Sequence, residues 1–360
     1  MTQPYSPCRK RGAAEADADP ARAPGLETTN LPGSGRPATW RRRLLLLLPS
    51  LLSAPGLLPA GRALAQSAPT QSVPPQPTPA RTAPTRADAW VSAVQMPGWI
   101  ERAGVREPLS PGAVLRTGDV VVTGAGGRVL VRLAEGSTVK LGESGRLAFS
   151  DLRVSRGATT LLAGLFDVAQ GAFRFTTSAV QRRTSERDLQ IRISTVTAGV
   201  RGTDLWGRGT AEREIVCLIE GRITVTRGNE APIQMSEPLS FFIAPVGAPA
   251  LPVAPVDPKQ LAQWASETEP VAGAGSAVQG GRWRVSVLRS ADQDEALKSY
   301  DALRSAGFDA RIRATRGTDA APGTGYDVGI GNLSSQAEAR GLAKRLAGQP
   351  GVAGEPLVGR

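Results

Sequence analysis

Few residue types in this 360-residue chain can do chemistry, and their spacing narrows the field further. Histidine is absent. That removes Ser-His-Asp and Cys-His nucleophilic catalysis and every His-ligated metal site at once. The two cysteines, Cys8 and Cys217, are too few for a disulfide framework or a thiolate metal cage. Asp119, Glu135 and Asp204 stand in glycine-containing turn contexts. Carboxylates in such places usually form turns, and no pair is held at the defined separation that two-acid catalysis needs. Gly124-Ala125-Gly126-Gly127 reads as a hairpin turn rather than a phosphate loop, because neither Lys-Ser/Thr nor a helix follows. No catalytic residue, metal or cofactor is expected, and the chain reads as a binding protein rather than an enzyme.

Two polar groupings remain. One is Val200-Arg201-Gly202-Thr203, inside Ser194–Trp206. The preceding strand alternates Ile191 and Ile193 against Arg192 and Ser194, then narrows to small residues, which predicts a tight crossing where backbone approaches backbone. Arg201, with five donors in a fixed fork, reads there as a structural residue buried against carbonyls. The other grouping is Arg284, Ser286, Arg311, Arg313, Asp327 and Gly329. Val285, Val287, Val328 and Ile330 have the opposite parity along their strands, so the polar set is expected on the solvent face of a sheet. The arginines can donate to hydroxyl, acetamide and carboxylate oxygens, and Gly329 would let a ligand approach the backbone. No aromatic is evident on that face.

The elements that must position these groups follow in order. Residues 1–65 read as a disordered extension and a signal peptide: Arg41-Arg42-Arg43, a leucine-rich run, then Ala63-Leu64-Ala65, with cleavage after Ala65. Pro49, Pro55, Gly56 and Pro59 break the apolar run, which favours cleavage over an inner-membrane anchor. The mature protein is therefore expected to be exported. Residues 66–88 form a Pro-rich linker. Residues 89–244 are short β-branched runs split by glycine turns, the pattern of an all-β domain, either a sandwich or a rolled sheet. Glu220-Gly221 reads there as a tight hairpin turn between two strands. Residues 245–279 are a second Pro/Gly-rich linker, with a short helix over Lys259–Ser266 whose Trp264 docks on a neighbour. Residues 280–360 repeat strand–helix–strand twice, which predicts an α+β domain, βαββαβ, with a four-stranded antiparallel sheet and two helices on one face. The formal net charge of +11 is spread along the chain and reads as a solvated surface. An open sheet without aromatics is a poor RNA platform, so no nucleic-acid partner is expected.

The strings PLSPGAVLRTGDVVVTG, GRVLVRLAEGSTVKLG, TAGVRGTDLWGR and IVCLIEGRITV occur in the order of a FecR-type periplasmic domain, and residues 89–244 resemble that family. Its best-known members are membrane-spanning regulators of iron-uptake sigma factors. No helical anti-sigma pattern precedes the domain here. WRVSVLRSADQDEA and YDVGIGNLSSQAEARGLAKRL resemble a SPOR domain over its full length, except that Ser286 stands where that family usually carries Gln. The second resemblance implies binding of denuded peptidoglycan glycan strands at bacterial division sites. Together they imply an exported, non-enzymatic envelope protein that holds peptidoglycan and presents its β domain to an unidentified envelope protein. The alternative they allow is a periplasmic sensor or regulator in a FecR-like signalling pathway.

Overall fold

A computed structural model describes residues 87–156, 160–178, 187–318 and 321–360. Ala63, Ala65, Cys8 and most of the first linker lie outside the described residues. The order of elements is β1 (Ala89–Gln95), β2 (Gly98–Arg102), β3 (Val105–Pro108), β4 (Val114–Leu115), β5 (Val120–Thr123), β6 (Arg128–Leu133), β7 (Thr138–Leu141), β8 (Arg146–Arg156) and β9 (Thr160–Thr176). Then come β10 (Arg187–Ile193), β11 (Val196–Gly209), β12 (Arg213–Arg227), β13 (Ile233–Met235), β14 (Ser240–Pro245), β15 (Ala254–Pro255), α1 (Pro258–Ser266) and β16 (Ser276–Val278). The chain closes with β17 (Trp283–Ser290), α2 (Gln293–Ser305), β18 (Ala310–Thr318), β19 (Ala321–Leu333), α3 (Gln336–Leu346) and β20 (Leu357–Gly359).

The first fifteen strands belong to one continuous rolled sheet in which three long strands change neighbours along their length. One half of β9 lies between β8 and β10, and its other half lies between β7 and β11. Strands β11 and β12 pair along their whole length, but their register shifts between Arg201 and Leu205. The corner is made by glycines in the left-handed region, Gly202 at φ 66° and Gly221 at φ 94°. A Cβ on residue 221 would lie 2.7 Å from the Gly202 carbonyl oxygen, so only glycine fits both the torsion and the space. The expected crossing is therefore present. Glu220-Gly221, however, is no hairpin turn. It is the bulge by which β12 turns the corner with its partner and continues to Arg227. The Gly124–Gly127 turn is likewise not a hairpin, since β5 pairs with β2 and β8, and β6 with β1 and β7.

The residues of the Val200–Thr203 signature divide at this corner. Val200 and Thr203 are buried, and Arg201 is exposed, directly across from Arg222. Among the described residues Arg201 has no ion-pair partner. This corrects the expectation of a buried, carbonyl-bound arginine: its place on β11 shares the outward parity of Thr197 and Gly199, while Val196, Ala198 and Val200 fill the core. The arginine that is pinned is Arg174. It donates to both oxygens of the buried Asp204, at 2.9 and 2.8 Å, and Thr176 adds a third contact at 3.2 Å. That carboxylate raises the pKa of the Arg174 guanidinium against the opposing effect of burial.

Strand alternation builds the core. Val129, Val131 and Leu133 of β6 and Ile191 and Ile193 of β10 point inward, and Phe149 and Phe166 meet edge to face at 5.1 Å. The segment 245–279, expected as a linker, is built into the fold. Asp257 caps α1 by accepting from the Lys259 and Gln260 amides, and Pro258 starts the helix. The Trp264 ring then stacks on Trp206 at 4.8 Å, with Phe241 edge-on at 5.7 Å. Glu267 pairs with Arg208, and Glu269 with Lys140. Cys217 lies under this cover, where burial pushes its thiol up to about 12, so it is a core residue rather than a nucleophile. Strand β16 joins β1 on one side and β19 on the other.

The C-terminal region has the expected topology. Its antiparallel sheet runs β18–β19–β17–β20. Helices α2 and α3 cover one face with Ala296, Leu303, Ala339, Leu342 and Leu346 over Val285, Val287, Val328 and Ile330. Asp292 and Ser335 cap the two helices, and α2 carries Asp294 and Glu295 in its first turn, where the helix dipole favours them. Strand β18 extends to Thr318, β19 runs through Gly331 to Leu333, and β20 has only three residues. All described residues belong to the compact unit Thr78–Arg360. The two regions touch through Gly98 N–H to the Gly307 carbonyl at 3.0 Å and Asp309 N–H to Met96 Sδ at 3.3 Å. Glu338, nine-tenths buried on α3, accepts the amides of Gly273, Gly275 and Ser276 at 2.7–2.8 Å and so fixes the entry of β16.

In denaturant unfolding of the full chain, Gly221→Val is expected to lose about 3 kcal/mol, the cost of a strained torsion plus a backbone clash. Arg201→Ala is expected to stay within about 0.5 kcal/mol of the parent, as an exposed substitution should.

Candidate functional site

The sheet face away from α2 and α3 is the place where the structure gathers the polar residues expected together. Arg284, Ser286, Asp327 and Gly329 meet there, and Arg311 and Arg313 flank them on β18. They are not equivalent. Asp327 is buried and accepts from both the Arg284 guanidinium and the Ser286 hydroxyl. The Arg284 side chain keeps only 14% of its exposure, and the hydroxyl of Ser286 is turned toward Asp327. These three form a closed polar network whose members satisfy one another. Its role is to hold Arg284 flat across the sheet. Arg311 and Arg313 are exposed; Arg311 has a long contact to Asp309 at 3.3 Å.

Gly329 does not do what the sequence suggested. A Cβ there would lie 2.5 Å from the Val285 carbonyl oxygen and 2.8 Å from the Arg284 guanidinium. It is glycine because the β17 backbone and Arg284 lie too close for a side chain, and it is buried beneath them. The accessible glycine is Gly331, two residues on along the same face. A Cβ there meets nothing within 4 Å, and its φ lies outside the left-handed range.

A cleft of about 110 Å³ opens above Gly329 and Gly331, with Trp283, Arg284, Arg313 and Arg360 around it. Trp283 is the aromatic that alternation hid. Simple parity places it inward with Val285, but β17 has an irregular register between Trp283 and Val285, so Trp283 lines the outer cleft beside Arg284. The Arg360 guanidinium lies 4.9 Å from the Trp283 ring centroid, a cation–π contact. Gly280-Gly281, just before the strand, was the available sign of an irregular start. The cleft thus offers an aromatic edge, several guanidinium donors and open backbone at Gly331. Its volume suits a carboxylate or acetamide arm, with the body of the ligand lying across the face. Among the described residues no group of side chains is placed to hold a metal ion, and no helix is long and apolar enough to cross a membrane.

With this geometry in hand, comparison with known proteins assigns both regions. Residues 119–224 match the family model "FecR protein", and residues 279–354 match "SPOR domain". The chain therefore carries a FecR domain followed by a C-terminal SPOR domain: an all-β rolled sheet and an α+β sheet with two helices. FecR and SPOR domains are binding and regulatory domains typical of envelope proteins. No curated protein matches the chain. Among solved structures, two crystal structures described as an anti-sigma factor from Parabacteroides distasonis are similar at 15% identity and a TM-score of 0.33. They cover 41% of this chain, and this chain spans 64% and 63% of their length.

The network predicts an asymmetry between two polar residues on one face. Asp327→Ala leaves Arg284 and Ser286 buried without their acceptor and is expected to lower stability by about 3 kcal/mol. Arg313→Ala is expected to change it by less than about 0.5 kcal/mol. Urea midpoints of the two variants check both.

Proposed function

We propose that this chain is an exported, non-enzymatic envelope protein that binds peptidoglycan glycan strands, stripped of their peptides, through the open face of its SPOR sheet. The observation that carries the reading is the cleft over Gly331, with Trp283 and Arg284 of β17 on one side and Arg313 of β18 on the other. A glycan strand lies flat. Its sugar rings can rest on the edge of Trp283, and its acetamide or lactyl carboxylate arms can enter the cleft, where the guanidinium donors take their oxygens. A stem peptide on the lactyl group would cap that carboxylate and fill the space, which gives a physical reason for preferring stripped strands. Asp327 contributes by orienting Arg284 rather than by touching the ligand. The FecR domain, joined to the SPOR sheet through β16, is then held near the wall, where it presents its surface to an envelope partner.

The test is co-sedimentation of the full chain with intact and amidase-stripped sacculi at low and high salt. Wild type should pellet preferentially with stripped sacculi, and a fitted contact should largely survive added salt. Gly331→Val and Trp283→Ala should each reduce pelleting by about tenfold, since one fills the cleft and the other removes its aromatic wall. Equal pelleting of Gly331→Val and wild type, or indifference to stripping, would contradict the reading.

A further inference from the structure

A second polar concavity lies on the FecR domain, on the outer face of β10, β11 and β12. It is an open trough of about 600 Å³. Ile191, Val200 and Ile223 point into the core, so the trough floor is made of the alternate residues. No aromatic side chain lines it. At its centre is Gly199, between Gln190 on β10 and Thr224 on β12.

Gly199 has no intramolecular reason to be glycine. Its φ lies outside the left-handed range. A Cβ there would meet only the Thr224 carbonyl oxygen, at 3.8 Å, an ordinary contact. Gly207 on the same strand makes the contrast, since a Cβ there would strike the Phe173 ring at 2.6 Å. A mid-strand glycine weakens a strand by roughly 0.5–1 kcal/mol relative to alanine and, where the fold does not require it, marks a place where another group approaches the backbone. The mouth of the trough has a second unexplained feature. Arg201 and Arg222 face each other across the ladder, both exposed. Like charges in directly opposed positions destabilise a strand pair. Asp188, beside Arg201 at the same end, forms no ion pair with either among the described residues.

We propose that this trough binds a short, extended, acidic peptide with small side chains and a free carboxylate terminus. The terminus would bridge Arg201 and Arg222, and its charge would relieve their repulsion. The peptide backbone would pass over Gly199, where the missing Cβ admits it, and the amide and hydroxyl groups of Gln190 and Thr224 would take its peptide groups. A peptide suits this floor better than a sugar, which would want an aromatic platform, and small side chains suit it because the trough offers no apolar pocket. The site lies on the opposite domain from the glycan cleft and does not depend on that reading.

The probe is the fluorescein-labelled pentapeptide Ala-Asp-Ala-Gly-Ala with a free C-terminus, titrated with full chain by fluorescence anisotropy. Saturable binding is expected, weakened at least about tenfold by C-terminal amidation and by Arg201→Ala with Arg222→Ala, as loss of a charge-assisted contact should do. Gly199→Val should abolish binding while its unfolding midpoint equals or exceeds that of the parent, because the new side chain points into open space. Absence of saturable binding, or equal binding by Gly199→Val, overturns the proposal. So does preference for a uronic-acid oligosaccharide in competition, which would make the trough a glycan site. Sacculus pelleting by Gly199→Val should equal wild type, so failure here and failure of the glycan reading are separately visible.

Discussion

The fold of the FecR domain depends on one close approach, the Gly202 carbonyl against the backbone of Gly221. Strands β9, β11 and β12 change neighbours partway along their length, and the paired β11 and β12 turn the corner together because both kink at the same level. Two glycines in the left-handed region do this without side-chain conflict. What lies on either side of the corner follows from it. Below it, Asp204 turns inward and Arg174 neutralises it. Above it, Arg201 is thrown outward beside Arg222. The most recognisable stretch of the sequence is thus a hinge of construction, and its charged member is left over for another use.

The same economy of contacts joins the two domains. A Pro/Gly-rich composition normally marks a linker, yet residues 254–278 add a strand pair, a capped helix and a bridging strand. The helix with its docking Trp264 was legible, but composition could not show the other anchors, which are single residues: Glu267 on Arg208 and Glu338 on three backbone amides. The β16 strand, three residues long, has no periodicity to read.

Much of the rest was legible for a physical reason. Both domains place apolar residues at the period of their elements, so the strands, the helices and the inward sets of β6, β10, β17 and β19 follow from alternation. Alternation failed where the backbone is irregular. Trp283 has the parity of Val285 and a bulge is invisible to parity, while Glu220-Gly221 reads as a turn because a bulge and a turn share the same residues. Gly329 and Gly331 look alike in sequence, and only the neighbouring carbonyl of Val285 distinguishes a glycine forced by packing from one left open. The closed Asp327–Ser286–Arg284 network was also invisible, since sequence places residues on a face without saying which of them satisfy one another.

In the proposed function, the cleft over Gly331 is the place where a ligand enters. A titration of the isotopically labelled chain with a peptide-free glycan tetrasaccharide, followed by amide and indole resonances, addresses it directly. Saturable shifts of the Trp283 indole N–H and the Gly331 amide are expected, with the buried indoles of Trp206 and Trp264 unmoved. Shifts confined to α2 and α3, or none at Trp283 and Gly331 when the sugar is in excess, would contradict it.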